Sequence, residues 1–433
     1  MTSGDRSAKR VATLCAALLA LHLCGASSFA LDTAAMPHGG VLRVGIAGDY
    51  APFTLTHGEQ LTGFDIDLVT RLARDLGARI EYVRFRWPEL STDLAANRFD
   101  LAVSGITVRP ERMLVGRYTR PYAISGAVAL IRTEDRARFP GPGTLDRPGV
   151  RIVVNRGGYL EHTAHQLFPH AAIEPVSDNR TLPDRVLDGT ADAALSDSLE
   201  ARTWARKEFA TLGPFTRDRK AIFVRADSPQ LAQWIDGWLR QRERDGWLRA
   251  LRKRWFDDTM FAAAGADREA VLSDIELRCR LMPMVAATKV AQSLPIEDRQ
   301  QEQRVLDRAQ TLARESGVDA GRVVRLFSTL IQAAKAIQRA SGTDPRALAP
   351  PLDQLRSAIG DLDAHLIRQL YAAARTVKPA EWRAGVREGV EAVGLDDALK
   401  AAVAESLVEA KKLAPTIPKK QSASPPAEPA PER

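Results

Sequence analysis

The hydrophobic pattern changes character once along this 433-residue chain, close to residue 260. Between residues 40 and 257, short apolar runs typical of strands alternate with amphipathic segments typical of helices, which predicts parallel sheets covered by helices. From residue 267 to about residue 412 only helical spacing is present, which predicts an all-α bundle. A chain of this length has room for two or three domains, so we expect a multidomain protein.

Composition narrows the classes of partner. The chain is 45% hydrophobic and 27% charged, as in ordinary globular proteins. A net charge of +7 is compatible with nucleic acid binding. No basic run with interleaved aromatic residues is present, so we expect small anionic substrates and no nucleic acid. His162, His165 and His170 have no carboxylate or cysteine at a ligand spacing, so neither a metal nor another cofactor is predicted.

Residues 1–30 are predicted to be a signal peptide. Basic residues precede an apolar segment at 11–23, which is too short to span a membrane comfortably. Small residues at positions 28 and 30 favour cleavage after Ala30. We therefore expect a periplasmic protein with no membrane contact after cleavage; the alternative is an N-terminal anchor. The mature chain keeps one cysteine, Cys279, so no internal disulfide is expected.

The α/β part contains three sequence motifs that indicate its family. They are Gly-Asp-Tyr-x-Pro-Phe from Gly48, Gly-Phe-Asp-x-Asp-Leu from Gly63, and Asp-x-x-x-Ser-Gly-Ile-Thr-x-x-x-Glu-Arg from Asp100. Together they resemble the polar-amino-acid class of periplasmic solute-binding proteins, over residues 40–257. The resemblance implies two α/β lobes, the second at about 126–222, that close on a ligand. It also implies that Thr107 and Arg112 bind a ligand carboxylate and that Tyr50 packs on the ligand body.

Further motifs give a closer resemblance. They are Trp87-Pro-Glu-Leu, Val154-Asn-Arg-Gly-Gly158 followed by Glu161, and Ser196-Asp-x-x-Glu-Ala-Arg202. With them, the α/β part resembles cyclohexadienyl dehydratases, periplasmic enzymes built on this binding fold. The resemblance implies loss of water and carbon dioxide from prephenate, giving phenylpyruvate, or from arogenate, giving phenylalanine.

That reaction needs an acid to protonate the departing hydroxyl while the ring becomes aromatic. Glu161 is the predicted acid, and the alternative is a first-turn glutamate that complements a helix dipole. We expect Trp87 to contact the substrate, Asp197 to face its amino group or hydroxyl, and Lys220, with Arg112, to neutralise carboxylates. Tyr159 replaces the small hydroxyl residue usual in these proteins, and Arg156 is the candidate substitute for it.

The helical part contains a pair of cations at helical spacing. Arg278 and Lys289 are eleven residues apart, close to three turns, so both project from one helix face, although Pro283 between them could kink the helix. The residues between them on that face are apolar or small. Such cations either extend to water or hold an anion between helices.

Two motifs favour the interpretation that these cations hold an anion. Lys289-x4-Leu-Pro-Ile-Glu-Asp298 and Ala333-Ala-Lys-Ala-Ile-Gln338 resemble the secreted gamma class of all-helical chorismate mutases, over residues 267–412. The resemblance implies rearrangement of chorismate to prephenate, with Lys289 and Gln338 donating to the ether oxygen. It implies that Arg278 and Arg356 bind the carboxylates, and that Asp298 and Glu302 lie near the substrate hydroxyl.

One position departs from that family. Gln301, a predicted substrate-binding residue, stands where the family normally has an arginine. Arg299 and Arg304 are the nearby cations, but the helical spacing places neither directly in line with position 301 along the helix. We therefore expect the substitution to lower the rate, and a silent mutase bundle is one alternative.

These inferences combine into one prediction. The expected layout is a signal peptide (1–30), a dehydratase-like two-lobed domain (31–258), a linker (259–266), a mutase bundle (267–412) and a disordered tail (413–433). The expected function is a bifunctional exported enzyme of phenylalanine biosynthesis, both an isomerase and a carbon–oxygen lyase. The alternative is an amino-acid receptor module fused to an active or silent mutase.

Overall fold

The computed structural model describes residues 40–411, except 59, 258–262, 342–347 and 391. The predicted signal peptide and tail lie outside these residues, and so does the start of the predicted linker. The rest of that linker is helical, because a helix already begins at Ala263. None of the helices in the described part of the chain is long and apolar enough to cross a membrane.

The α/β part is built from short strands and helices. Its strands are β1 (Val41–Ile46), β2 (Asp49–Tyr50), β3 (Thr54–His57), β4 (Gln60–Thr62), β5 (Arg79–Arg84), β6 (Leu101–Ala102), β7 (Gly116–Tyr118), β8 (Ala123–Ser125), β9 (Ala127–Arg132), β10 (Arg151–Asn155), β11 (Ala172–Val176), β12 (Ala193–Asp197), β13 (Phe209–Leu212), β14 (Asp218–Lys220) and β15 (Phe223–Arg225). Its α-helices are α1 (Phe64–Leu76), α2 (Leu90–Ala95), α3 (Tyr159–Leu167), α4 (Leu182–Leu187), α5 (Ser198–Thr203), α6 (Pro229–Arg244) and α7 (Trp247–Phe256).

The strands form two five-stranded sheets, one in each lobe. The order in lobe one is β5-β1-β6-β15-β7, and the order in lobe two is β11-β10-β12-β9-β13. The chain crosses between the lobes at β8 and returns at β14, and these two strands pair antiparallel. The two-lobed α/β fold expected from the sequence is therefore present, with loops of both lobes facing one cleft.

Helix α1 shows how the sequence positions that cleft. It has an apolar face on which Leu68 and Leu72 are buried, and it ends at Gly77 in the left-handed region with φ 74°. Its first turn carries Asp65, which is buried and accepts the backbone N–H groups of Ser104 and Gly105 at 2.7 Å. This contact fixes the loop that precedes Thr107.

The C-terminal part is a helical bundle, as predicted. Its helices at 299–315 and 320–341 are amphipathic, and apolar side chains from the whole bundle meet in one continuous core. The longest helix continues through Pro283. The helices are α8 (Ala263–Ala291), α9 (Arg299–Glu315), α10 (Ala320–Ser341), α11 (Leu352–Ala373), α12 (Pro379–Gly389) and α13 (Asp397–Lys411).

The bundle is docked on lobe one through a buried ionic interface. Arg120 of lobe one pairs with Asp267 of α8 at 2.6 Å, and both side chains are buried. His365 of α11 lies between Asp236 of α6 and Asp274 of α8, at 2.8 Å from each carboxylate. Apolar side chains of both parts also belong to the same core cluster. The two parts are therefore packed together. The sequence predicted a linker between them but did not predict this contact.

Candidate active sites

A cavity of about 460 Å³ lies between helices α8, α9, α10 and α11. Its walls combine apolar side chains such as Met282 and Val285 with many charged groups. All the residues that the sequence assigns to a mutase site line this one cavity. They are Arg278, Lys289, Asp298, Gln301, Glu302, Gln338 and Arg356.

The two predicted donors to an ether oxygen are both buried in the cavity wall. Lys289 Nζ donates to the carbonyl of Ile296 at 2.5 Å, and Gln338 Nε2 contacts the Met282 sulfur at 3.6 Å. A thioether is a weak acceptor, and Gln338 Oε1 has no hydrogen-bond partner among the described residues. Burial lowers the pKa of Lys289 below its ordinary value. The amide therefore keeps capacity for a bound molecule.

Carboxylates hold the predicted carboxylate-binding cations in place. Arg278 Nε donates to Asp363 at 2.9 Å, and Arg356 donates to Asp298 at 3.0 Å. Asp298 also caps α9 by accepting the backbone N–H of Gln301 at 2.9 Å. No motif in the sequence singled out Asp363, although it lies seven residues after Arg356 and hence on the same helix face.

The charge of the cavity favours an anion. Six cationic side chains and three carboxylates line it, so the formal excess is three positive charges. Lys335, a member of the second mutase motif, is one of the cations not predicted, and it pairs with Glu302 at 3.2 Å. Such an arrangement suits a small dicarboxylate with an apolar body.

The second candidate site is the cleft between the lobes. Its cavity measures about 30 Å³, which is room for about one water molecule rather than for a substrate. The predicted ligand-binding residues Tyr50, Trp87, Thr107 and Arg112 all line it. Tyr50 meets the Trp87 ring edge-on, with centroids 5.7 Å apart.

Lys220 and Asp197 form a buried ion pair beside the cleft. Lys220 Nζ lies 2.8 Å from Asp197 Oδ2 and donates to Thr107 Oγ1 at 2.8 Å. Asp197 also accepts the Ser125 hydroxyl at 2.5 Å. Neither side chain lines the small cavity. In this structure Asp197 therefore binds the protein's own ammonium group, where a substrate amino group or hydroxyl was expected.

The structure gives the Glu161 carboxylate a hydrogen-bond donor in the loop that precedes its helix. Its carboxylate accepts the backbone N–H of Gly157, four residues earlier, in that loop. This fits the alternative of a first-turn glutamate in α3. Arg156 donates to the carbonyl of Pro175 at 2.7 Å and does not line the cleft, whereas Tyr159 does.

Glu200 is a carboxyl group that sequence reasoning missed. It is 1% exposed, and it accepts hydrogen bonds from the Asn179 amide and, at 2.8 Å, from the Ser196 hydroxyl. Burial raises the pKa of Glu200 well above its ordinary value. Glu200 does not line the small cavity but is linked to it: its donor Ser196 precedes Asp197, which pairs with Lys220, and Lys220 donates to the cavity residue Thr107. The signal was available, because Ser196 and Glu200 belong to one quoted motif.

Comparison with known proteins divides the chain in the same way. Residues 42–258 match the family model "Bacterial extracellular solute-binding proteins, family 3", and residues 267–339 match "Chorismate mutase type II". Over 252 residues, the chain is 35% identical to the cyclohexadienyl dehydratase of Pseudomonas aeruginosa, covering 57% of this chain and 93% of that protein.

Two further similarities concern binding proteins. The L-cystine-binding protein TcyJ of Escherichia coli is 27% identical over 222 residues, covering 50% of this chain and 83% of that protein. The crystal structure of an ancestral amino-acid-binding protein, described as a precursor of cyclohexadienyl dehydratase, is 32% identical with a TM-score of 0.48. That alignment covers 50% of this chain and 96% of the ancestral protein.

Proposed function

The chain belongs to the family 3 bacterial extracellular solute-binding proteins, and we propose that it is a bifunctional enzyme of phenylalanine biosynthesis. The helical bundle converts chorismate to prephenate. The two-lobed part removes water and carbon dioxide from prephenate or arogenate, which gives phenylpyruvate or phenylalanine. One observation carries the proposal: a chorismate mutase type II domain is joined to a domain 35% identical to a cyclohexadienyl dehydratase, so one site makes the substrate of the other.

The mutase reaction needs no nucleophile. One carbon–oxygen bond breaks as one carbon–carbon bond forms, and negative charge builds on the ether oxygen in the transition state. Lys289 Nζ and Gln338 Nε2 donate to that oxygen, in a partly apolar cavity where such donors are most effective. Arg278 and Arg356 hold the two carboxylates, which keeps the reacting carbons close together.

The dehydratase reaction needs one proton donor. The C4 hydroxyl takes a proton and leaves as water, while the ring carboxylate leaves as carbon dioxide and its bonding electrons complete the aromatic ring. We assign the proton to Glu200, because it is buried and burial raises the pKa of its carboxyl group, which favours the neutral acid. Water then returns a proton to Glu200. Arg112 binds a substrate carboxylate, with Lys220 as its neighbouring positive charge.

The proposal includes export to the periplasm. Its support is the pattern of residues 1–30, a basic start followed by a short apolar segment and small residues at positions 28 and 30. Mass spectrometry of the protein from a periplasmic extract tests this, and a mature N-terminus at Leu31 or within a few residues of it is expected. A protein that keeps residues 1–30 in the membrane fraction would contradict export.

Turnover of prephenate tests the dehydratase assignment on its own. The full mature chain is given prephenate, and separately arogenate, and phenylpyruvate is followed by its absorbance in alkali and phenylalanine by chromatography. We expect one or both substrates to be consumed with loss of carbon dioxide. Tight binding of an amino acid without turnover of either substrate would instead establish a receptor module fused to a mutase.

A further inference from the structure

Five of the six cations that line the bundle cavity already have partners within the protein. Arg308 of α9 is the sixth, and none of the described residues forms a hydrogen bond or ion pair with its guanidinium. Its donors therefore remain available to a bound molecule. The existing pairs are Arg278 with Asp363, Arg356 with Asp298, Lys335 with Glu302, Lys289 with the Ile296 carbonyl, and Arg304 with the Gln301 side chain.

The register of α9 turns Arg308 toward the cavity. Gln301, Arg304 and Arg308 are spaced i, i+3 and i+7, so they share one helix face. Arg304 is not directly in line with position 301 along the helix, as expected, but its Nε and Nη2 reach Gln301 Oε1 and donate to it at 3.0 and 2.8 Å. Gln301 thus holds Arg304, and Arg308 is the guanidinium on this face with free donors.

A glycine in the facing helix makes room for Arg308. Gly360 is buried in the interior of α11, where glycine costs about 1 kcal/mol relative to alanine. A Cβ atom at this position would lie 2.5 Å from Arg308 Nη1 and 3.1 Å from its Cζ. Gly360 also lines the cavity. The missing side chain lets the guanidinium lie between α9 and α11 at the cavity wall.

From these contacts we propose that Arg308 binds one carboxylate of the mutase substrate. The planar guanidinium can donate two parallel hydrogen bonds to that carboxylate. Arg308 would thereby supply the cation that position 301 lacks, and Gly360 would be the positioning residue that admits it. This inference rests on the proposed mutase function and adds a specificity determinant to it.

Steady-state kinetics of chorismate conversion by the full mature chain test the proposal. Arg308→Ala is expected to raise KM about 10- to 100-fold, the loss of a charged hydrogen-bonded contact, with a smaller effect on kcat. Arg308→Lys recovers part of the loss. Arg314→Ala is the matched control, because Arg314 is an exposed arginine of the same helix that does not line the cavity.

A second variant separates positioning from folding. Gly360→Ala is expected to keep or raise the melting temperature, since alanine favours helix, yet to raise KM for chorismate several-fold by displacing Arg308. KM values for Arg308→Ala and Gly360→Ala within twofold of Arg314→Ala would overturn the proposal while leaving the mutase function intact. A wild-type chain that neither converts chorismate nor binds prephenate in calorimetry would overturn both.

Discussion

The two candidate sites differ in how ready they are to receive a ligand. The bundle cavity measures about 460 Å³, whereas the cleft between the lobes measures about 30 Å³. The cavity wall keeps polar groups with spare hydrogen-bonding capacity, such as the Gln338 amide. Beside the cleft, the charges of Lys220 and Asp197 satisfy each other.

The difference teaches that one chain uses two routes to catalysis. The helices of the bundle fix the mutase groups around a preformed space, so binding needs little rearrangement. The lobes must separate before a substrate can enter, and β8 and β14 are the strands at which they would pivot. Opening and closing of the lobes is therefore expected to contribute to the dehydratase rate.

The largest effect is expected for a substitution that lowers dehydratase activity in the cleft and leaves mutase activity in the bundle intact. Glu200→Gln removes the proposed proton donor and should lower dehydratase kcat about 10²- to 10⁴-fold, with chorismate conversion unchanged. Glu161→Gln is the matched control, because the hydrogen bond that its carboxylate accepts comes from the adjacent loop. Rates with prephenate and with chorismate are measured on the same preparations. A greater loss for Glu161→Gln than for Glu200→Gln would reverse the assignment of the acid.

The next largest effect is expected for a substitution that lowers mutase activity and leaves dehydratase activity intact. Lys289→Ala removes a proposed donor to the ether oxygen and should lower mutase kcat about 10²- to 10³-fold, while dehydratase rates with added prephenate stay the same. Lys400→Ala, in α13 and away from the cavity, is the control. Mutase kinetics that are equal in the two variants would show that the cavity does not use Lys289.

A smaller effect tests the contact that joins the two regions. His365→Gln leaves Asp236 and Asp274 buried without their cation, which should cost about 3–5 kcal/mol of unfolding free energy. His165→Gln, at an exposed histidine, is the control. Denaturant unfolding measures both variants. Equal stability of the two would contradict the buried ionic interface.

The same histidine predicts a pH dependence. Burial by itself lowers the pKa of His365, but Asp274 and Asp236 outweigh it and raise the pKa to about 10, against about 6.5 in an unfolded chain. Since the folded pKa is the higher one, this contribution is fully present below about pH 6.5 and is lost as pH rises through about 10. Unfolding free energies between pH 6 and 10 should therefore fall more steeply for the wild type than for His365→Gln.

Local spacing explains what the sequence could predict. Arg278 and Lys289 share a face because both belong to one helix of regular period. Asp298 and Gln338 could be predicted because they belong to motifs that resemble those of a known family. The amphipathic pattern of 64–76 likewise fixed α1. In these cases the neighbours in space are determined by neighbours in sequence.

Packing between distant segments explains the rest. Asp363 becomes a site residue because α11 packs against α8, which carries its partner Arg278, and Arg308 and Gly360 do so because α9 and α11 lie side by side. His365 meets its two carboxylates from separate helices, one of them in lobe one. Glu161 was assigned as the acid from its position after two glycines, but its carboxylate folds back onto that same loop. Only the fold distinguishes it from Glu200, which is buried.

Product analysis after feeding chorismate to the full mature chain tests the central claim most directly. The wild type should release phenylpyruvate, Glu200→Gln should accumulate prephenate, and Lys289→Ala should consume chorismate about 10²- to 10³-fold more slowly yet consume added prephenate at the wild-type rate. If the wild type leaves chorismate unchanged, or stops at prephenate, the two sites do not act in sequence and the bifunctional account is contradicted.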